Sequence, residues 1–228
     1  MPRIRQKAAA VEDQVYRQVV QAVMEHRLPP GAKLDEERLA EIFSVSRTRI
    51  RKVISLLAND QIVTHRLNHG AFVSSPSIKE ARDIFQARRG IEQFVVKLCC
   101  AKRPKINLSE LRAFVRQESH AYEKGNKATN RMSGDFHVLL ASLTGNEVVR
   151  SIVERLAVRT NLVQAVYGPS KICLVHEHDD IVDALDAKDA EKAIELMDRH
   201  LESIERACDF TDPAKTEVDL AAIFPIRM

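Results

Sequence analysis

The sequence predicts a mainly α-helical protein of two domains, a winged helix-turn-helix followed by an all-helical bundle. The stretch Leu34 to Arg51 reads as a helix, a tight turn and a second helix that opens on Ser46 and carries Arg47, Arg49 and Arg51 within its first two turns. Two short strand signals, Gln61 to Arg66 and Ala71 to Ser74, flank the turn Leu67-Asn68-His69-Gly70. From residue 78 onward apolar residues recur at helical spacing with no strand signal.

The chain has 228 residues, enough for two ordinary domains, and its apolar content of 45% allows each a core. No apolar run is long enough for a membrane span, and the basic start, Met1 to Lys7, has no apolar stretch behind it. A cytoplasmic location is expected. Cys99, Cys100, Cys173 and Cys208 lack C-x-x-C pairing and read as core thiols in a reducing compartment. Charge is uneven along the chain. Residues 1–75 hold 12 Lys+Arg against 8 Asp+Glu, or +4; residues 76–228 hold 23 against 24, or −1. The positive excess lies where contact with nucleic acid needs it.

The first helix is predicted over Val11 to His26, with Tyr16, Val19, Val20 and Val23 on one face. Leu28-Pro29-Pro30-Gly31 ends it, because proline cannot continue a helix. Asp35 caps the second helix, which runs to about Phe43. Ile50, Val53, Ile54 and Leu57 form the buried stripe of the third, leaving Arg47, Arg51, Lys52 and Ser55 outside. The hairpin that follows is the wing, with Gly70 free to take positive φ.

Ser75-Pro76-Ser77 is a linker, and domain boundaries are predicted at 1–75, 76–82, 83–210 and 211–228. Ser77 with Glu80 forms a capping box. Bundle helices are predicted near 78–101, 108–124, 127–143, 147–167, 174–187 and 190–208, with caps at Asn107, Asn146 and Asp189. The last segment reads as an irregular tail whose Ile223, Phe224 and Ile226 dock on a surface.

A helix that presents arginines from its N-terminal end suits the major groove. Ser46, Arg47, Thr48 and Arg49 are placed for bases and nearby phosphates, Arg51 for phosphate, and Arg66, Asn68, His69 and Gly70 for the minor groove or backbone. Pro29-Pro30-Gly31, Leu39-Ala40-Glu41, Val45-Ser46-Arg47-Thr48 with Arg51, and Asn68 to Val73 resemble the signature of the GntR family of bacterial transcription regulators over about residues 11–75. That resemblance implies operator contacts from Arg47, Thr48, Arg51 and the wing at His69-Gly70. Two positions depart from it. Ser44 stands where the family usually has glycine, and a side chain at positive φ costs about 1 kcal/mol. Arg49 replaces the small residue or proline often found there, which bears on operator sequence.

In the bundle, polar residues occupy core positions. Arg88 falls among Ile84, Ile91, Val95 and Leu98, and Arg159 lies between Leu156 and Val163. A buried guanidinium needs a counter-charge, either an internal partner such as Glu92 or a carboxylate ligand. His137, His178 and His200 lie on the apolar faces of three different predicted helices, the way a bundle assembles a metal site. Neutral imidazole suits zinc, nickel, copper, iron or manganese. His120 and His176 fall on polar faces.

Residues 78–210 are similar to the all-helical FCD ligand-binding domain of the FadR subfamily of GntR regulators. The matching pieces are Arg88 with Glu92, Phe136-His137 with Leu140 leading to Gly145-Asn146, Glu177-His178 with Ile181, Ala184 and Leu185, and Asp189 with Met197 and His200-Leu201. The resemblance implies a divalent metal, zinc first with nickel or manganese as alternatives, on His137, His178 and His200. It implies a small-molecule effector, for which Arg88, Ser133 and Arg159 are the candidate contacts. The aspartate that usually completes the metal set would fall at Ser133, and Asp135 points to another face.

The expected function is a homodimeric, ligand-responsive transcription regulator, a repressor by default, acting on a pseudo-palindromic operator. Two alternatives are a metal-dependent hydrolase using the three histidines, and a DNA-binding dimer without an effector. The hydrolase needs a general base, and Asp135, Glu177 and Asp179 point away from the inner face.

Overall fold

The computed structural model of the protein describes residues 2–102, 106–124, 129–168, 175–211 and 219–224, without the side chains of 2–10 and 175. It divides into two compact units, 1–75 together with 214–228, and 76–213. Cys173 and Ile226 lie outside the described residues.

The first unit is a winged helix-turn-helix. Helix α1 (Pro2–Met24) starts before the predicted Val11 and buries Val15, Val19 and Val23. The stripe is rotated from the expected one: Tyr16 and Val20 are only half-buried. The Tyr16 hydroxyl donates instead to Asp60 at 2.7 Å. Strand β1 (Lys33–Leu34) precedes α2 (Glu36–Ile42), capped as predicted by Asp35, whose carboxylate accepts from the Arg38 N–H. Ser44 turns the chain at φ +53°. Helix α3 (Arg47–Asn59) buries Ile50, Val53, Ile54 and Leu57; Ser46 takes the N-cap position without a side-chain cap bond. Strands β2 (Val63–Arg66) and β3 (Gly70–Val73) form the wing, with Gly70 at φ +95°. The antiparallel sheet runs β1-β3-β2, pairing Leu34 with Ala71 and Arg66 with Gly70.

Residues 219–224 belong to this unit as well. The predicted irregular tail contains a short helix, α10 (Leu220–Ile223), and Leu220 and Phe224 are buried.

The second unit is helical throughout its described residues: α4 (Ile78–Ala101), α5 (Ser109–Glu123), α6 (Thr129–Leu143), α7 (Glu147–Tyr167), α8 (Val175–Ala187) and α9 (Ala190–Arg206). Ser77, Asn146 and Asp189 accept from Glu80 N, Val149 N and Lys192 N, as their sequence positions predict. The capping box at Ser77 is only half made, because the Glu80 carboxylate turns to Arg159. Asn107 sits one residue outside the α5 cap, held at Leu108. Phe85, Val96, Leu111, Phe136, Leu140, Val163, Ile181 and Met197 meet in one core. No helix among the described residues is long and apolar enough to cross a membrane.

Candidate functional site

On the first unit, Ser46, Arg47, Thr48 and Arg51 are exposed at the start of α3, with Arg49 half-buried beside them. The wing residues Arg66, Asn68, His69 and Gly70 are exposed too, and the Arg66 guanidinium lies 4.3 Å from the centre of the Phe72 ring. Sequence reasoning missed Glu36. From the first turn of α2 its carboxylate takes Arg51 Nε at 2.7 Å and lies 3.8 Å from Arg47 Nη2. It orients both guanidiniums and offsets part of their charge.

In the second unit, His137 on α6, His178 on α8 and His200 on α9 come together, each about 1% exposed. Their ligand atoms lie within 4.8 Å of one another, and His200 Nε2 is 3.2 Å from both His178 Nε2 and His137 Nε2. Every ring is backed by a carboxylate at Nδ1: His137 by Glu92, His178 by Glu118 at 2.7 Å, His200 by Glu177 at 2.8 Å. A proton held at Nδ1 leaves the Nε2 lone pair facing inward, the orientation that metal-ligating histidines take from their outer partners. The Phe136 ring stacks on His178 at 3.8 Å between centroids and fixes its plane.

Burial and the charge of Arg88 hold His137 well below the ordinary histidine range and His178 down at about 3. Burial lowers His200 to about 4 against the opposing effect of its hydrogen bond to Glu177. Burial also raises Glu118 to about 8. The three imidazoles are therefore neutral donors. With every ring proton at Nδ1, three lone pairs face one another and repel unless a cation or a shared proton lies between them, and that donor set fits a divalent ion such as zinc.

Arg88, 2% exposed on α4, donates from Nε to Glu92, whose other oxygen holds His137. The predicted Arg88–Glu92 pair is therefore present, extended into a bridge to the His137 ring. Arg88 Nη2 is buried with no hydrogen-bond partner among the described residues. An orphaned guanidinium N–H is costly to bury and suits a carboxylate oxygen. Ser133 lies half-buried one turn before His137 on α6.

Arg159 differs from the expectation. Its side chain is 20% exposed and bonds Glu80 at 2.7 Å, so its counter-charge is internal, on α4. Two of the three bases considered for a hydrolase are already engaged: Asp135 by Arg131 and Glu177 by His200. His120 and His176 are exposed, as predicted. Glu118 carried a legible signal, since it continues the inward stripe of Leu111 and Val115, where a glutamate needs a partner.

The family model described as "Bacterial regulatory proteins, gntR family" matches residues 11–73, and that described as "FCD domain" matches residues 83–203. The regulator YdhC of Bacillus subtilis is 26% identical over 145 residues, covering 63% of this chain and 65% of its own. The Nta operon transcriptional regulator of Aminobacter aminovorans is 29% identical over 131 residues, 56% of this chain and 62% of its own. The chain thus spans less than two thirds of the length of these two relatives. The transcriptional repressor RspR of Escherichia coli is 24% identical over 199 residues, 85% of this chain and 87% of its own. Among solved structures, a GntR protein from Rhodococcus sp. RHA1 superposes with TM-score 0.73 at 24% identity, covering 90% of this chain and 97% of that one. Escherichia coli McbR/YncC gives 0.73 at 20% identity, covering 86% and 97%. These two likenesses show the fold.

Proposed function

The chain belongs to the gntR family of bacterial regulatory proteins and carries an FCD domain behind its winged helix, and from that premise we propose that it is a transcription regulator switched by a small carboxylate. It binds operator DNA in the cytoplasm as a homodimer, through Ser46, Arg47, Thr48 and Arg49 in the major groove, Arg51 on phosphate, and Arg66, Asn68, His69 and Gly70 at the wing. Two-fold symmetry of the protein pairs with a pseudo-palindromic operator. Repression relieved by the ligand is the expected sign.

One observation carries the ligand reading: the unpartnered Nη2 of Arg88 is buried in the unit where three neutral Nε2 atoms converge. His137, His178 and His200 would hold a divalent ion, zinc by preference. A bound ion of that kind supplies a Lewis-acidic position for a carboxylate oxygen. Arg88 supplies charge-assisted hydrogen bonds to the same anion, and Ser133 leaves the α6 side of the ring cluster to a small hydroxyl in place of a second carboxylate. Arg159 joins α4 to α7 through Glu80. Ligand can alter operator affinity only through its different affinity for the two arrangements of the dimer.

The test is thermal melting of the zinc-loaded protein against a panel of small mono- and dicarboxylates, followed by operator binding with whichever acid raises the melting temperature. A stabilising acid that also shifts operator affinity in wild type, and does neither in Arg88→Ala, supports the reading. A panel without effect on a protein that binds its operator would leave the DNA-binding dimer without an effector. Failure to bind any DNA from its genomic neighbourhood at moderate salt would overturn the reading as a whole.

A further inference from the structure

The segment 219–224 lies outside both matched regions, 11–73 and 83–203, yet it is built into the DNA-binding unit. Asp219 caps α10 by accepting from the Ala221 N–H, which fixes the short helix. Phe224 is 4% exposed and its ring lies 5.2 Å from that of Phe43. Leu220 is 7% exposed, and Arg27 Nη1 donates to the Ile223 carbonyl at 3.0 Å. An aromatic pair, a second buried apolar side chain and a charged donor on a backbone carbonyl make a seated element rather than a loose end.

The seat is at a sensitive place. Phe43 is the C-cap of α2, and the next residue is Ser44 at φ +53°, the turn that sets the angle between α2 and the recognition helix α3. In sequence, this segment follows α9, which carries His200. The first unit is therefore joined to the second by two passages of the chain, one at 75–76 and one at 213–214.

We propose that residues 219–224 act as a strap on the helix-turn-helix: Phe224 and Leu220, seated against α2 at Phe43, hold the Ser44 turn and so the pitch of the recognition helix. The strap stands on contacts within the first unit; only its effect on operator binding rests on the function proposed above.

The experiment compares three full-length proteins, wild type, Phe224→Ala and Phe224→Leu, with a variant stopped after Thr211. Amide hydrogen exchange is followed at Leu39 to Ser44, with operator affinity measured in parallel. Exchange in that stretch should speed up at least tenfold in Phe224→Ala and in the shortened chain, while Phe224→Leu, which keeps an apolar plug, stays near wild type. Operator affinity should fall severalfold in the first two, and zinc binding by the helical unit should be unchanged. Unchanged exchange at α2 in both Phe224→Ala and the shortened chain overturns the strap. So does wild-type protection that vanishes on dilution, which would assign the seated segment to a second copy. If wild type binds no operator, the proposed function falls while the exchange measurement still decides the strap.

Discussion

Arg89 grips Asp198 with both Nε and Nη2, at 2.8 and 2.7 Å, clamping α4 to α9. Gln93 adds a third bond to the same carboxylate at 3.0 Å. The clamp lies next to Arg88 on one helix and two residues from His200 on the other, so it sets the spacing between that guanidinium and that imidazole. Both side chains are about a third exposed, which weakens the pair relative to a buried one. Arg89→Ala should therefore cost only about 1 kcal/mol of stability. Zinc affinity should drop several-fold, with operator binding of the metal-free protein unaltered. Calorimetric zinc titration checks this, and an unchanged affinity would show that the clamp does not set the site.

Glu92 carries more. One oxygen takes Arg88 and the other His137, all three residues being buried. Removing its charge leaves a buried guanidinium without a counter-ion, a loss of about 3–5 kcal/mol when one member of a buried pair is deleted. Glu92→Gln should show that loss in urea unfolding of the helical unit. The double variant Arg88→Met, Glu92→Gln should recover much of it, since the orphaned charge is gone. Equal destabilisation in single and double variants would mean that Glu92 acts chiefly through His137.

Much of this fold was legible in the sequence, for physical reasons that can be named. Asp35, Asn146 and Asp189 are short polar side chains at helix starts, and each makes the cap bond its position implies. The histidines were legible because an imidazole on an apolar face stands out at helical spacing. Which carboxylate each ring meets was not. Glu118 and His178 are 60 residues apart and Glu92 and His137 are 45 apart, and periodicity does not report which faces meet across a bundle. Strand β1, two residues long, has no alternation to read. Arg159 looked like a ligand anchor because its stripe is apolar, whereas its length lets the guanidinium reach Glu80 near the surface.

Glu36 makes a prediction for DNA. It engages Arg51 and lies near Arg47, so these side chains are partly neutralised before any phosphate arrives. Arg47→Ala should cost about 1–3 kcal/mol of operator binding and relax one base position. Glu36→Gln should instead tighten binding to unrelated DNA several-fold, because positive charge is released, and narrow the gap between operator and unrelated sequence. Fluorescence anisotropy at two salt concentrations separates the cases. A variant with wild-type affinity for unrelated DNA would count against the charge-offset role.

Ser44 sits at φ +53°, where a Cβ is disfavoured. Ser44→Gly should raise stability by about 1 kcal/mol, since glycine takes that conformation without the steric penalty. A stabilised first unit with unchanged operator affinity is expected, measured by thermal unfolding and anisotropy. Destabilisation would mean that the serine makes a compensating interaction at the turn.

Metal removal tests the helical unit most directly. An ion that binds only the folded state stabilises it by about 4 kcal/mol at a thousand times its dissociation constant. Chelation should therefore lower the melting temperature of the purified protein, and zinc should restore it at one ion per chain. His178→Ala is a blunt control, because it also strands Glu118 in the core. His178→Gln is better: its amide can pair with the Glu118 carboxyl in either protonation state while presenting no imidazole nitrogen to His200. That variant should fold, keep its operator affinity and lose the zinc-dependent rise in melting temperature. If it retains the full rise, the ion is held elsewhere, and the three inward nitrogens share a proton in place of a metal.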